Sequence, residues 1–192
     1  MWCRSCRTRP EAQGSWGRRR HRVVLGVLVA AVSAACWAGS PARERTLELR
    51  NLHTGEVVQV SFDRDNGPDE AARAKLQHLL RDYRAGEEHA MDPALYGLLT
   101  DLAQAAGCPA RYEVISGYRA PRTNASLRAA GHAVAEHSQH MEGHAIDVRL
   151  MGCRLEKLRD VALQAQRGGV GYYPSSNFVH VDTGRVRTWV GR

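Results

Sequence analysis

The short segment Phe178–Asp182, with the sequence FVHVD, strongly constrains how this chain can fold. Successive side chains of a β-strand point to opposite faces of a sheet, so Val179 and Val181 share one face while His180 and Asp182 share the other. The valines predict a face that packs on the core. Two polar side chains together on the opposite face are costly to bury unless they pair or bind a ligand.

A second group of polar residues lies in the stretch SQHMEGHAID, residues 138–147. A loop that turns at Gly143 and continues into a strand would bring Asp147 back beside His140, because a glycine allows a tight turn and a close approach of the backbone. Catalytic zinc usually takes three protein ligands from His, Asp, Glu or Cys. His140 and Asp147 are therefore candidate metal ligands, and His180 is the third candidate.

Periodicity predicts a chain of mixed helices and strands. Asp69 is the expected N-cap of the first helix, and Gly107 is the expected stop of the second. The predicted order of helices and mainly antiparallel strands indicates one compact α+β domain. The predicted elements are a β-hairpin over 46–62, helices over 69–83, 91–107, 123–130 and 155–166, strands over 111–119 and 144–150, and a glycine-led hairpin over 168–184.

The formal net charge of +7 is concentrated at the N-terminus. Residues 1–22 hold seven arginines and one glutamate, and residues 23–42 hold no Lys, Arg, Asp or Glu, so residues 43–192 have a net charge of only +1. A nearly neutral body argues against a nucleic-acid partner, since phosphate binding depends on clustered positive charge.

The N-terminal segment, residues 1–42, has the features of an export signal. The basic stretch GRRRHR precedes an uncharged apolar run over residues 23–38, and the small residues of AGSPA follow. The apolar run is shorter than the roughly 20 residues that span a bilayer, but an uncleaved membrane anchor remains the alternative. The consecutive arginines suggest a signal of the twin-arginine type. We therefore expect one folded domain over 43–192 that is exported to the periplasm or cell envelope.

Two cysteines, Cys108 and Cys153, lie in the body of the chain. In an oxidising compartment they can form one disulfide. The sequence does not give the distance between them, so the thiol and disulfide states both remain open at this stage.

The motifs resemble a known family of zinc peptidases. SQHMEGHAID matches the pattern S-x-H-x-x-G-x-A-x-D and resembles the first zinc motif of the D-Ala-D-Ala peptidases of hedgehog/DD-peptidase fold. The flanking SGYRAPRTNASLRAAGHAVAEHSQH and the later GGVGYYPSSNFVHVDTGRVRTW resemble the exported murein endopeptidases of the K type. This likeness extends over roughly residues 46–189.

The resemblance implies roles for individual residues. It implies that His140, Asp147 and His180 bind Zn²⁺ and leave a position for water. Arg119, in the motif SGYR, matches an arginine that faces the substrate in relatives, where a guanidinium can stabilise an oxyanion or hold a carboxylate. A structural salt bridge is the alternative for Arg119.

The general base departs from the family pattern. Relatives place Glu three residues before the last zinc ligand, or His two before it, whereas this chain has Asn177 and Phe178 there. Asp182 is the candidate substitute, either as the base or as a carboxylate that orients the last ligand. His137 and Glu142 are further candidates. Tyr118 and Tyr172 are candidates for lining a substrate groove, with packing in the core as the more common role of a buried tyrosine.

These features predict a zinc metallopeptidase that hydrolyses peptide cross-links in bacterial peptidoglycan. The scissile bond remains open between a D-Ala–diamino acid bond and a bond between two diamino acids. Two other functions remain open as well: a D,D-carboxypeptidase that trims stem peptides, and a non-catalytic, zinc-stabilised module that binds murein.

Overall fold

The computed structural model describes residues 44–132 and 134–191, and the predicted signal segment lies outside them. The described residues form one seven-stranded sheet with four α-helices. The strands are β1 (Glu44–Asn51), β2 (Val57–Asp63), β3 (Arg111–Ser116), β4 (Ala145–Leu150), β5 (Gly169–Tyr173), β6 (Phe178–Asp182) and β7 (Arg187–Val190). The helices are α1 (Glu70–Leu79), α2 (Pro93–Ala106), α3 (Pro121–Ala129) and α4 (Leu155–Ala165).

The sheet is mixed, in the order β2-β1-β3-β4-β6-β5-β7. The pairs β1–β3 and β5–β7 are parallel, and the other four pairs are antiparallel. The α+β class and the mainly antiparallel sheet are therefore confirmed. The sequence patterns did not predict β7, a strand of only four residues that occupies one edge of the sheet.

One face of the sheet packs on the helices and forms the core. Val179 and Val181 on β6 are 0% and 1% exposed, as their alternation with polar residues predicts. Helix α4 contacts β4, β5 and β6, and α2 contacts β1 and β4. The hydroxyl of Tyr112 on β3 donates to the carbonyl of Leu99 in α2 at 2.8 Å, which satisfies a buried polar group inside this core.

The helix ends follow local capping signals. The Asp69 side chain accepts the backbone N–H of Ala72, and Gly107 ends α2 with φ of 69°. The prediction that α1 runs to about Tyr83 is wrong, because the helix ends at Leu79. The buried carboxylate of Asp82 instead accepts backbone N–H groups of the following turn and of Ala120, the residue before α3. None of the helices in the described ranges is long and apolar enough to cross a membrane.

The structure contains a disulfide between Cys108 and Cys153, whose Cα atoms are 6.4 Å apart. The bridge joins the segment between α2 and β3 to the segment between β4 and α4. It therefore closes a covalent loop around the two strands, β3 and β4, that pair at the centre of the sheet.

Removing the disulfide should lower the free energy of unfolding. The bridge spans a sequence separation of 45 residues, and cross-links of this size stabilise by about 2–4 kcal/mol, largely by restricting the unfolded chain. We expect Cys108→Ala/Cys153→Ala to lose about this much in urea unfolding. The single variant Cys108→Ala should lose nearly as much, since either change removes the bridge. A double variant as stable as the wild type would contradict the prediction.

Candidate metal centre and its cavity

Five strands align one row of residues on the face of the sheet opposite the core. The cross-strand partners are Ser116 with Asp147, Asp147 with His180, His180 with Gly171, and Gly171 with Trp189. Directly opposed residues on neighbouring strands lie close enough for their side chains to interact. The row therefore brings two of the predicted metal ligands together.

A β-bulge places Ser116 in this row. Val114 pairs with Val148 on the core face, but the register then shifts so that Ser116 pairs with Asp147 on the other face. A bulge adds one residue to a strand and thereby changes which way the following side chains point. The residue after the bulge, Gly117, lies beside the site, with its carbonyl oxygen next to His140.

His140 reaches the site from a short 3-10 helix, Gln139–Glu142. The hydroxyl of Ser138 caps this turn by accepting the backbone N–H of His140, and Gly143 ends it with φ of 70°. A Cβ atom at Gly143 would lie 2.3 Å from the carbonyl oxygen of Ala90. Gly143 is therefore required both for its backbone conformation and for the close packing of the loop.

The three predicted ligands converge in the structure. His140, Asp147 and His180 are 3%, 6% and 7% exposed, and one donor atom from each lies within 4.8 Å of the others. His140 Nε2 is 3.1 Å from His180 Nδ1. Asp147 Oδ1 is 3.3 Å from His140 Nε2 and 2.9 Å from His180 Nδ1.

The partners of the outer ring nitrogens show that this cluster suits a cation. His140 Nδ1 lies 2.7 Å from the carbonyl oxygen of Gly117, which can only accept, so Nδ1 carries the hydrogen. His180 Nε2 lies 2.9 Å from Asp182 Oδ2 and likewise donates to an acceptor. The inner nitrogens therefore direct lone pairs at each other and at the carboxylate of Asp147, and such an arrangement fits a bound metal ion.

The electrostatics keep the carboxylate ligand ionised. Burial by itself would raise the pKa of Asp147, but the positive charge that His140 and His180 carry when protonated, together with their hydrogen bonds, outweighs burial and holds that pKa below its usual value. Burial lowers the pKa of His140. These directions for Asp147 and His140 favour the forms that bind metals, a carboxylate and a neutral imidazole. At His180, burial lowers the pKa, but the hydrogen bonds to Asp147 and Asp182 outweigh burial and raise it, so a metal ion binds there in competition with a proton.

Asp182 lies behind His180 and away from the cavity. Its side chain is 0% exposed. Besides the hydrogen bond from His180, its oxygens accept hydrogen bonds from the backbone N–H groups of Gly169 and Gly184, each at 2.9 Å. They also accept hydrogen bonds from both terminal nitrogens of Arg187, at 3.1 and 2.7 Å. Of the two roles open from the sequence, this geometry favours orientation of His180 over proton transfer.

Arg119 lies on the other side of the ligands. Its Nη2 donates to the Ser116 hydroxyl at 3.3 Å and is 3.8 Å from Asp147 Oδ2. Its guanidinium is largely buried, with 12% of the side chain exposed. Arg119 thus makes a loose ion pair with a candidate ligand while also lining the cavity above the cluster.

The cavity has a volume of about 250 Å³ and opens over the three ligands. The loop before the 3-10 helix forms one side, and the Asn124 side chain secures that loop by donating to the carbonyl of Ala135 at 3.0 Å. Of the two minor candidates for a base, the exposed His137 lines the cavity, whereas Glu142 is not among its lining residues.

Comparison with known proteins gives the family. The model of the family described as peptidoglycan L,D-endopeptidase MepK matches residues 39–189. The chain belongs to this family. It is 42% identical over 167 residues to peptidoglycan L,D-endopeptidase MepK of Escherichia coli K12, with 87% of this chain and 91% of the relative covered.

A second relative agrees with this assignment. The probable peptidoglycan L,D-endopeptidase MepK of Haemophilus influenzae Rd is 41% identical over 170 residues, covering 88% of this chain and 91% of the relative. No solved structure gives a significant match. The family resemblance inferred from the motifs is confirmed.

Opposite the loop that precedes the 3-10 helix, the cavity has an aromatic wall formed by Tyr173, Phe178 and Trp189. The sequence patterns did not predict this wall. The suggestion that Tyr172 lines the groove is wrong, because its hydroxyl lies 3.4 Å from Glu156 of α4 and it is absent from the cavity lining. Since Gly171 pairs with His180, its second neighbour Tyr173 shares the face of the site.

The other tyrosine proposed for the groove is also placed elsewhere. Tyr118 stacks on His89, with ring centroids 4.8 Å apart, and is not among the residues that line this cavity. Its position two residues after the bulge turns it away from the metal ligands and into packing beside the loop that precedes α2.

Gly143→Ala should be much more destabilising than Gly131→Ala. Both glycines have positive φ, so alanine adds about 1–2 kcal/mol of strain at either position. Only at Gly143 does the new Cβ collide with backbone, because nothing lies within 4 Å of the Cβ position at Gly131. Overpacking should add about 1–3 kcal/mol. Urea unfolding measures both losses, and equal losses would contradict this account of the loop.

Proposed function

We propose that this chain is an exported zinc peptidase that hydrolyses peptide cross-links of peptidoglycan. Membership of a peptidoglycan endopeptidase family supports the reaction class. The observation that carries the metal assignment is the convergence of two imidazole lone pairs and a carboxylate at the bottom of the cavity. This donor set, two histidines and one aspartate, is typical of catalytic zinc with an open coordination position.

His140, through Nε2, His180, through Nδ1, and Asp147 would hold the zinc ion. Zinc supplies Lewis acidity, which polarises a carbonyl group and makes water more acidic near neutral pH. The rest of the site is fixed by the protein: the carbonyl of Gly117 and the carboxylate of Asp182 hold the two imidazoles in the required tautomers and orientations.

Arg119 is proposed to act on the substrate. Its guanidinium lines the cavity beside the ligands, where it can donate hydrogen bonds to a scissile carbonyl oxygen as negative charge develops there. Burial raises the strength of such an interaction, because little water competes for the donor. The loose 3.8 Å contact with Asp147 leaves donor capacity for a ligand.

The names of the relatives support one of the two bonds that the sequence left open. They are L,D-endopeptidases. In a D-Ala–diamino acid cross-link, the carbonyl group of the scissile bond belongs to a D residue. In a bond between two diamino acids, the carbonyl group belongs to an L-centre and the amine to a D-centre. We therefore propose the bond between two diamino acids as the substrate, in preference to a D,D-carboxypeptidase activity.

An extracytoplasmic location is part of the proposal. Peptidoglycan lies outside the cytoplasm, and the Cys108–Cys153 disulfide suits an oxidising compartment. The basic and apolar N-terminal segment supports export in the same way.

Defined muropeptides test the function directly. The purified, zinc-loaded chain should cleave a dimer linked between two diamino acids, and should leave intact both a dimer linked through D-Ala and an uncross-linked pentapeptide. Release of terminal D-Ala would support the carboxypeptidase. Binding of murein without cleavage of any of the three would support the non-catalytic module.

Two histidines of the same stretch provide a matched pair of variants. His140→Ala should abolish stoichiometric zinc binding and lower cross-link cleavage by at least about 1000-fold, since it removes one of three ligands. His144→Ala should retain one zinc per chain and wild-type turnover, because His144 is exposed and outside the ligand cluster. Metal analysis and chromatography of the products measure the two effects. Equal cleavage by both variants would refute zinc catalysis at this site.

Asp182→Asn distinguishes orientation from proton transfer. If Asp182 orients His180, the variant should bind zinc about 10- to 100-fold more weakly, and excess zinc should restore much of its turnover. The measurement is competition for zinc with a chromogenic chelator, followed by cleavage at saturating zinc. Unchanged zinc affinity together with lost turnover would identify Asp182 as the base.

A further inference from the structure

The ring of Tyr173 is packed closely by its neighbours. Its ring stacks on Phe178, with centroids 4.4 Å apart and an interplanar angle of 17°. A Cβ atom at Gly191 would lie 2.0 Å from the ring, so the chain after β7 also closes tightly on it. The phenol is therefore fixed in one place on the wall of the cavity.

The hydroxyl of Tyr173 has an unused hydrogen. The indole Nε1–H of Trp189 donates to the Tyr173 oxygen at 2.8 Å. Among the described residues, the Tyr173 hydroxyl donates to no protein atom. Because the oxygen already accepts a hydrogen bond, the O–H is polarised and becomes a better donor. Of the neighbouring donors, the Trp189 indole is engaged by Tyr173, and the Arg187 guanidinium, which also lines the cavity, binds Asp182 through both terminal nitrogens.

The position of this hydroxyl is suited to a substrate. Tyr173 lines the same cavity as Arg119 and the three metal ligands. Two hydrogen-bond donors, one cationic and one neutral, thus face the space above the candidate metal centre.

We propose that the Tyr173 hydroxyl is a catalytic hydrogen-bond donor to the oxygen of the scissile peptide carbonyl, acting together with Arg119. This assignment rests on the proposed function. The donor strengthens its hydrogen bond as the carbonyl carbon becomes tetrahedral and the oxygen gains negative charge. No proton needs to leave the phenol. Trp189 is the positioning residue, since it acts only through the orientation of the Tyr173 hydroxyl.

Gly171 on β5 leaves space for one of the aromatic side chains of this wall, Trp189. A Cβ atom at Gly171 would lie 2.6 Å from the Trp189 ring, so any larger residue there would displace the indole. The Trp189 ring in turn lies 5.1 Å from the His180 ring, measured between centroids. The hydroxyl donor and the metal ligand are therefore positioned by one continuous set of contacts.

Tyr173→Phe tests the proposal, because it removes the hydroxyl but keeps the ring and its stacking. With the dimer linked between two diamino acids, kcat should fall about 10- to 100-fold while KM stays within about threefold, as expected for an interaction made mainly in the transition state. Bound zinc should remain at one per chain. The matched control is Tyr172→Phe, which changes the neighbouring residue on the opposite face and should retain wild-type kcat.

Two further measurements separate catalysis from packing. A phosphinate analogue of the cross-link, which mimics the tetrahedral carbon, should bind Tyr173→Phe at least about tenfold more weakly, whereas the cleavage products should bind both proteins equally. Trp189→Phe should lower kcat by a smaller factor and should add little in the Tyr173→Phe background, because both changes affect one hydrogen bond.

The outcomes distinguish this assignment from the function on which it rests. If the wild-type chain cleaves the cross-link and Tyr173→Phe has the same kcat, the role of Tyr173 alone is overturned. An effect of the variant confined to KM, or loss of zinc from the variant, would overturn it as well. A wild-type chain that cleaves no cross-link would overturn the proposed function, and this role with it.

Discussion

The imidazole of His180 lies between two carboxylates, and the geometry of the whole site depends on this arrangement. Asp147 meets one ring nitrogen from the neighbouring strand β4, and Asp182 meets the other from the same strand as the histidine. Arg187 from β7 compensates the second negative charge, so the buried Asp182 is not left unpaired. Pairing β6 with β4 in another register would move His180 away from Asp147 and remove the site.

The glycines of β5 explain how a sheet can support a cavity so close to its surface. Gly169 and Gly171 occupy the positions on the site face where side chains would otherwise fill the space beside Asp182 and His180. Arg187 and the indole of β7 extend across this gap. The edge strand thereby contributes side chains to a centre whose candidate metal ligands all come from other segments of the chain.

The sequence predicted the parts of the site that depend on local patterns. Alternation with valine identified the face of His180 and Asp182, and the motif around His140 identified the loop that meets them. The aromatic wall depends instead on which residues of β5, β6 and β7 lie opposite each other, and local alternation does not give that register. Without that register, the sequence offers Tyr172 as a possible groove residue, whereas Tyr173 is the tyrosine that lines the cavity. The short β7 and the order of the strands likewise depend on long-range pairing.

The small cavity determines how such a protein can meet a polymer. About 250 Å³ is less than most pockets for drug-sized molecules, and has room for only a few bonds on either side of an amide. The sugar chains of a cell-wall mesh must remain outside, in solvent. Selectivity would then come from the stereochemistry immediately around the scissile bond.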